Sequence, residues 1–113
     1  MARIPLTGDS GKWFDKKAAV KFNEATRWNG NNHISRASGS QWVHEALYYT
    51  RGGRWVLNAW SQWQGSLETY TEISEETAVE WLIANEYADS SDLDALPEAV
   101  QKSVDAAIEA REV

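Results

Sequence analysis

The chain contains no cysteine, only two histidines, and no apolar run approaching the roughly 20 residues that a membrane span needs. The first absence excludes disulfides, thiolate metal sites and cysteine nucleophiles together, and agrees with a reducing compartment. The second leaves His33 and His44 as the only imidazoles, so a metal site would have to be completed by carboxylates. If His44 and Glu45 lie on a strand they point to opposite faces and do not converge. The few glycines do not fall in the pattern that cradles phosphates at a helix start. No metal and no cofactor is expected. The opening MARIPLTGDSG lacks the apolar stretch of about 7 to 15 residues that a secretory signal carries, so the expectation is a cytoplasmic protein without membrane contact. Its Gly8-Asp9-Ser10-Gly11 matches a serine-protease nucleophile loop only as a tetrapeptide. It lacks the length and the matched histidine and carboxylate of those enzymes, and a turn explains it.

What is present is ordinary globular material. At 113 residues the chain can bury one core, so a single domain is expected over residues 1–113. The net charge of -6 is unevenly spread. Residues 1–73 carry nine basic and six acidic side chains, whereas residues 74–113 carry eleven acidic ones against Lys102 and Arg111. That boundary coincides with a change in hydrophobic period from strands to helices.

The organising stretch is Tyr48 to Ile73, which holds Trp55, Trp60 and Trp63 and the clearest turn signal, Gly52-Gly53. Gln41 to Thr50 and Arg54 to Gln62 read as an antiparallel hairpin across those glycines. A two-residue loop would put Trp42, Tyr48, Trp55, Leu57 and Trp63 on one face. A three-residue loop with a bulge at Gly53 would instead group Val43, Leu47 and Tyr49 with Trp55 and Leu57. Either register joins Trp55, Leu57 and Ala59 as core. Gly65-Ser66 reads as the next turn, and Leu67 to Ile73 alternates as a further strand, so a meander is expected.

Upstream, residues 1–11 read as an irregular lead-in punctuated by Pro5 and two glycines. A short strand is expected through Trp13 and Phe14, a turn near Asp15 to Lys17, and a second strand over Val20 to Trp28; a helix capped by Asp15 is the alternative for that segment. Asn29 to Ser40 reads as a polar loop carrying His33, Ser35 and Arg36. Downstream, Ser74 is an N-cap, Glu75 and Glu76 suit the positive end of a helix dipole, and Ala78, Val79, Leu82, Ile83 and Tyr87 follow at helical spacing. A helix is expected over Glu75 to Glu86. Asp89 to Asp92 then break the pattern before a short turn over Leu93 to Leu96, and Pro97 opens a last helix with Leu96, Val100, Val104, Ala107 and Ile108 as its apolar stripe. The fold class is therefore α+β, with an antiparallel β-meander of three to five strands packed by C-terminal helices.

The run LYYTRGGRWVLNAWSQWQGSLETYTEISEETAVEWLIANE resembles a group of small uncharacterised bacterial proteins. In these, an LY-x-T hairpin, a glycine turn, an aromatic strand and a helix of the form I-S-x-E-x-A-x-x-W-L follow in this order. The similarity spans roughly residues 47–86, with a weaker echo in WFDKKA. It implies a bacterial or mobile-element origin and an α+β fold, and carries over no functional residue.

No spacing forces two acid-base groups together, although Asp15, Glu24, Glu45 and His33 could meet in space; the chain reads as non-enzymatic. The seven tryptophans exceed what so small a core needs. Trp28, Trp55 and Trp81 read as internal, and Trp42, Trp60 and Trp63 as the rim of the sheet. A functional version makes Asn58, Trp60, Gln62, Trp63 and Gln64 an exposed platform for a sugar ring, a base or a protein. The acidic tail repels phosphates and makes direct nucleic-acid binding an unfavourable expectation. Through Glu98, Asp105 and Glu109 the same tail suits a basic protein surface, as an inhibitor or antitoxin of a nucleic-acid enzyme would. Binding of another protein is the leading expectation.

Overall fold

The computed structural model describes residues 2–8, 11–28, 33–35, 43–62 and 67–113. Along the chain run β1 (Arg3–Pro5), β2 (Trp13–Asp15), β3 (Val20–Asn23), β4 (Thr26–Trp28), β5 (His33–Ser35), β6 (Val43–Tyr49), β7 (Trp55–Ser61) and β8 (Thr69–Ile73). They are followed by α1 (Glu75–Ala84), a 3₁₀ turn (Ser91–Ala95) and α2 (Glu98–Glu109). Strands β3, β6, β7 and β8 form one antiparallel sheet in the order β3-β6-β7-β8, while β1-β2 and β4-β5 are separate two-stranded pairs. The expected α+β meander with C-terminal helices is what forms.

The hairpin at the centre takes the three-residue loop. Thr50 and Arg54 close it, with Thr50 N–H donating to Arg54 O at 2.8 Å and Gly53 standing at φ 82° as the left-handed residue of the bulge. Leu47 therefore faces Leu57, and Tyr49 faces Trp55. Trp55 is buried in the helical-side core and Leu57 packs partly against it, whereas Ala59 on the same face is half-buried and outside that cluster.

Both faces of the sheet are covered. On one face, Phe22, Leu47 and Trp55 pack with Ala78, Val79, Trp81 and Leu82 of α1, with Leu93 and Leu96, and with Val104 of α2. On the other, Ala46, Tyr48, Val56 and Tyr70 pack under Phe14 of β2, flanked by Ile4, Leu6 and Trp60. This second layer corrects the expectation of an irregular lead-in. Arg3–Pro5 pairs antiparallel with Trp13–Asp15, and Thr7 bonds both backbone groups of Tyr70, its N–H to Tyr70 O at 2.8 Å and its Oγ1 accepting from Tyr70 N–H at 2.9 Å. A three-residue strand ending in proline is too short to show a period, so only this docking reveals it.

The strand expected over Val20 to Trp28 is broken after Asn23. The Glu24 carboxylate accepts the N–H of Glu45 at 3.1 Å, and Ala25 N–H turns to the Asn85 side chain at 3.0 Å. Side chains thus replace the next rungs of the ladder. Beyond the break, β4 pairs with β5, which places Ile34 and Ser35 in buried positions inside the segment expected to be loop. The Asn29-Gly30 turn signal and Trp42 lie outside the described residues.

Helix α1 starts as expected, with Ser74 Oγ accepting from Thr77 N–H at 3.1 Å. It stops at Ala84, two residues short of the expected end, because Asn85 caps it and Glu86 adopts φ 69°. Tyr87 then returns to the core, its ring edge-on to Phe22 and its hydroxyl donating to Asn23 O at 2.7 Å. Burial pushes the Tyr87 phenol above its ordinary range, with Asp92 adding to the shift. No helix among the described residues is long and apolar enough to cross a membrane.

Candidate functional site

Helix α2 buries one stripe and displays the rest. Val104 is fully buried, Val100, Ala107 and Ile108 pack partly against the core, and Glu98, Asp105 and Glu109 are exposed. Those three recur at offsets of seven and four, so they share one face of the helix. Lys102 lies in the same row and pairs with Glu98 at 3.5 Å. The row is therefore less negative than the three carboxylates alone suggest.

The stronger acidic feature lies beside it, where α1 and α2 meet. A groove of about 600 Å³ has an apolar floor of Ile83, Ala84, Ala88 and Ile108. Its rim carries Glu80, Asp89, Glu109 and Glu112, with Arg111 the one cation among the described residues that line it. Arg111 is engaged within the chain, its Nη2 3.3 Å from Glu80 and 3.5 Å from Glu76. Of the acidic residues singled out from sequence, Glu109 reaches this groove; Glu98 and Asp105 do not line it. Ile83, expected on the core stripe of α1, is instead 36% exposed. That exposure puts an aliphatic side chain where a partner can reach it.

Of the residues expected to form an aromatic and amide platform, the described ones differ in exposure: Asn58 is buried, Trp60 half-buried and Gln62 exposed. Asn58 is 3% exposed, and its Nδ2 donates to Glu68 Oε1 at 3.0 Å and to Thr69 O at 3.1 Å. Trp60 is half-buried beside the second core, its ring 5.8 Å from that of His44. Gln62 is exposed, with its amide nitrogen 3.2 Å from His44 Nε2. Trp63 and Gln64 lie outside the described residues. Strand alternation puts Asn58 on the same face as Val56 and Trp60, beside its register partner Tyr70.

One cluster escaped the sequence reading. His44 Nδ1 lies 2.8 Å from Glu24 Oε1, and this pair is largely shielded, the side chains being 19% and 10% exposed. On the opposite face, Glu45 Oε1 accepts from the indole Nε1 of Trp81 at 3.0 Å. His44 and Glu45 therefore diverge as strand alternation requires, and the histidine's carboxylate comes from a different strand. In the neutral ring, Nδ1–H donates to Glu24 and Nε2 accepts from Gln62. The outer nitrogen, where a general base would meet a substrate, is taken up by that amide. Asp15 lies in the other layer, bonded to the backbone of Ala2 and Lys17. Among the described residues no group of three or more histidine, aspartate or glutamate side chains could hold a metal ion. A signal for Glu24 and His44 existed only as composition, since their separation of 20 residues matches no local period.

No family model matches this chain, and neither a curated protein nor a solved structure shows significant similarity to it.

Proposed function

We propose that this chain is a small, non-enzymatic interaction protein, of a bacterium or mobile element, that holds a basic amphipathic segment of a partner protein in the α1–α2 groove. The observation that carries this reading is the combination of an apolar floor, Ile83, Ala84, Ala88 and Ile108, with four carboxylates on its rim. A floor of that kind rewards an apolar anchor, and the rim selects lysine and arginine around it. Nucleic acid is a poor occupant, because the same carboxylates repel phosphates. A protein whose own basic surface binds nucleic acid is a natural partner, and covering that surface would inhibit it.

The test uses two synthetic helical peptides titrated into the protein at low and high salt, one alternating leucine and lysine on a helical pattern and one with glutamate in place of lysine. The lysine peptide should bind, weaken with salt, and lose roughly tenfold in affinity with Ile83→Ser or Glu109→Lys, changes that remove an anchor or reverse a charge. Equal binding of both peptides, or binding indifferent to both substitutions, would sink the proposal. Capture from a bacterial lysate by wild type and by Glu109→Lys then asks for one basic protein retained only by wild type.

A further inference from the structure

The face of the sheet opposite the helices holds a second feature that the interaction reading does not use. Lys21 of β3 stands opposite Tyr48 of β6, and its Nζ lies 5.8 Å from the centre of the Tyr48 ring. Lys16, from the turn after β2, approaches the same ring at 5.9 Å and the Tyr70 ring at 5.6 Å. Two ammonium groups thus converge over one tyrosine. Among the described residues neither makes a salt bridge to a carboxylate.

The groups around them are ordered by a chain of hydrogen bonds. Lys16 Nζ donates to Tyr70 Oη at 3.2 Å, Tyr70 Oη donates to Glu68 Oε1 at 3.1 Å, and Asn58 Nδ2 donates to the same carboxylate oxygen at 3.0 Å. Lys16 is held firmly charged, its pKa raised above the ordinary lysine value chiefly by the bond to Tyr70. The Tyr48 hydroxyl beneath is buried and, among the described residues, has no hydrogen-bond partner of good geometry, the Lys16 ammonium being the charge that acts on it. Burial pushes its pKa up while the Lys16 ammonium pulls it down. An unpaired buried hydroxyl is uncommon and costs stability, so a fold that keeps one beside two cations invites a functional explanation.

These side chains open onto a pocket of about 320 Å³ lined by Lys16, Lys21, Asn58, Trp60, Ser61 and Glu68. That is the lower end of the range of about 300–1,000 Å³ for ligand pockets, room for one ring and one charged substituent. Two ammonium groups against the single carboxylate of Glu68 leave the pocket lining net positive, which suits an anion. Glu68 already accepts from Tyr70 and Asn58, and as an exposed carboxylate it has further acceptor capacity for ring hydroxyls. Trp60 offers an apolar aromatic wall, buttressed by His44, against which the C–H face of a pyranose can lie.

We propose that this pocket binds a monosaccharide carrying one anionic group, the anion between Lys16 and Lys21, the hydroxyls toward Glu68, and the ring against Trp60. A carboxylate and a phosphate share the chemistry the lysines recognise, and the experiment separates them.

The full chain, labelled with nitrogen-15, is titrated in separate arms with glucuronate, glucose 6-phosphate, glucose, inorganic phosphate and adenosine monophosphate. The indole N–H signal of Trp60, assigned through Trp60→Phe, is followed. At least one sugar anion should shift that signal saturably, and should bind roughly tenfold or more tightly than glucose or inorganic phosphate alone, the worth of one charge-assisted hydrogen bond. Lys21→Met should weaken that binding by a similar factor with the spectrum beyond the neighbourhood of Tyr48 unchanged, since Lys21 is exposed and methionine keeps the length of its apolar stem. Lys102→Met on α2 should leave it alone. The assignment is overturned by any of four outcomes: no saturable shift with either sugar anion, inorganic phosphate binding as well as the sugar anions, adenosine monophosphate binding more tightly than either, or Lys21→Met binding like wild type.

Discussion

Asp15 shows how one side chain can anchor a layer. It is 8% exposed, and its Oδ1 accepts N–H bonds from Ala2 and Lys17, both at 3.1 Å. The bond from Ala2 is the main reason its pKa falls below the ordinary 3.8, outweighing the opposing effect of burial. A carboxyl whose folded pKa is depressed stabilises the fold above its unfolded pKa, and that contribution drains away as pH falls through the lower folded value. Urea midpoints of the wild type should therefore decline as pH drops below 3.8, and Asp15→Asn should flatten that decline while costing stability near neutral pH. Parallel acid limbs for the two proteins would show that Asp15 is not the group responsible. The residue was visible in the sequence as a turn former. Its partner Ala2 was not, because nothing local marks a backbone N–H thirteen residues away as a ligand.

At the scale of elements, the central hairpin was the most legible part of the chain and its register the least. Both loop lengths were compatible with Gly52-Gly53, and one residue of slip exchanges the two faces of a strand. The structure selects the three-residue loop because Gly53 takes the left-handed conformation at φ 82° and Thr50 supports it, accepting from Arg54 N–H at Oγ1 at 3.0 Å. Gly53→Ala should cost about 1 kcal/mol for that conformation, read as a lower thermal midpoint, whereas an unchanged midpoint would place the strain elsewhere. Helix α1 was legible for a different reason: its cap, acidic first turn and apolar spacing are all local, and local signals agree with the fold here. The break after Asn23 was not, since it is made by Glu24 against β6 and by Asn85 from beyond α1, 60 residues from the Ala25 N–H it receives.

For the whole molecule, the decisive fact is that one sheet serves two cores. Phe14 closes the second of them, its ring 5.4 Å from Tyr48 and 5.7 Å from Tyr70. Removing it by Phe14→Ala should cost about 3–5 kcal/mol, a large share of the 5–15 kcal/mol typical of a domain. Because Tyr48 and Val56 are in strands whose other face supports the helices, the loss should lower the urea midpoint of helical circular dichroism and of tyrosine-tryptophan signals together. A helical transition that stays in place would mean that the layers fold independently. The charge asymmetry of the chain acquires a spatial meaning from the same arrangement. The acidic residues 74–113 lie largely in the helices on one side of the sheet, while Lys16 and Lys21 sit over Tyr48 on the other.

The amino-acid sequence by itself determined the class of the fold, the hairpin about Gly52-Gly53, the start of α1 at Ser74 and the opening of α2 near Pro97. Each of these rests on residues within a few positions of one another, where backbone sterics, capping and period act directly. Only the tertiary structure decided that residues 3–5 form a strand, that Asn58 is buried, that Ile83 is exposed, and that Glu24 reaches His44. Those outcomes depend on which surfaces meet across the sheet and between the helices. Such meetings are settled by burial and hydrogen-bond satisfaction over the whole chain, and no local pattern encodes them.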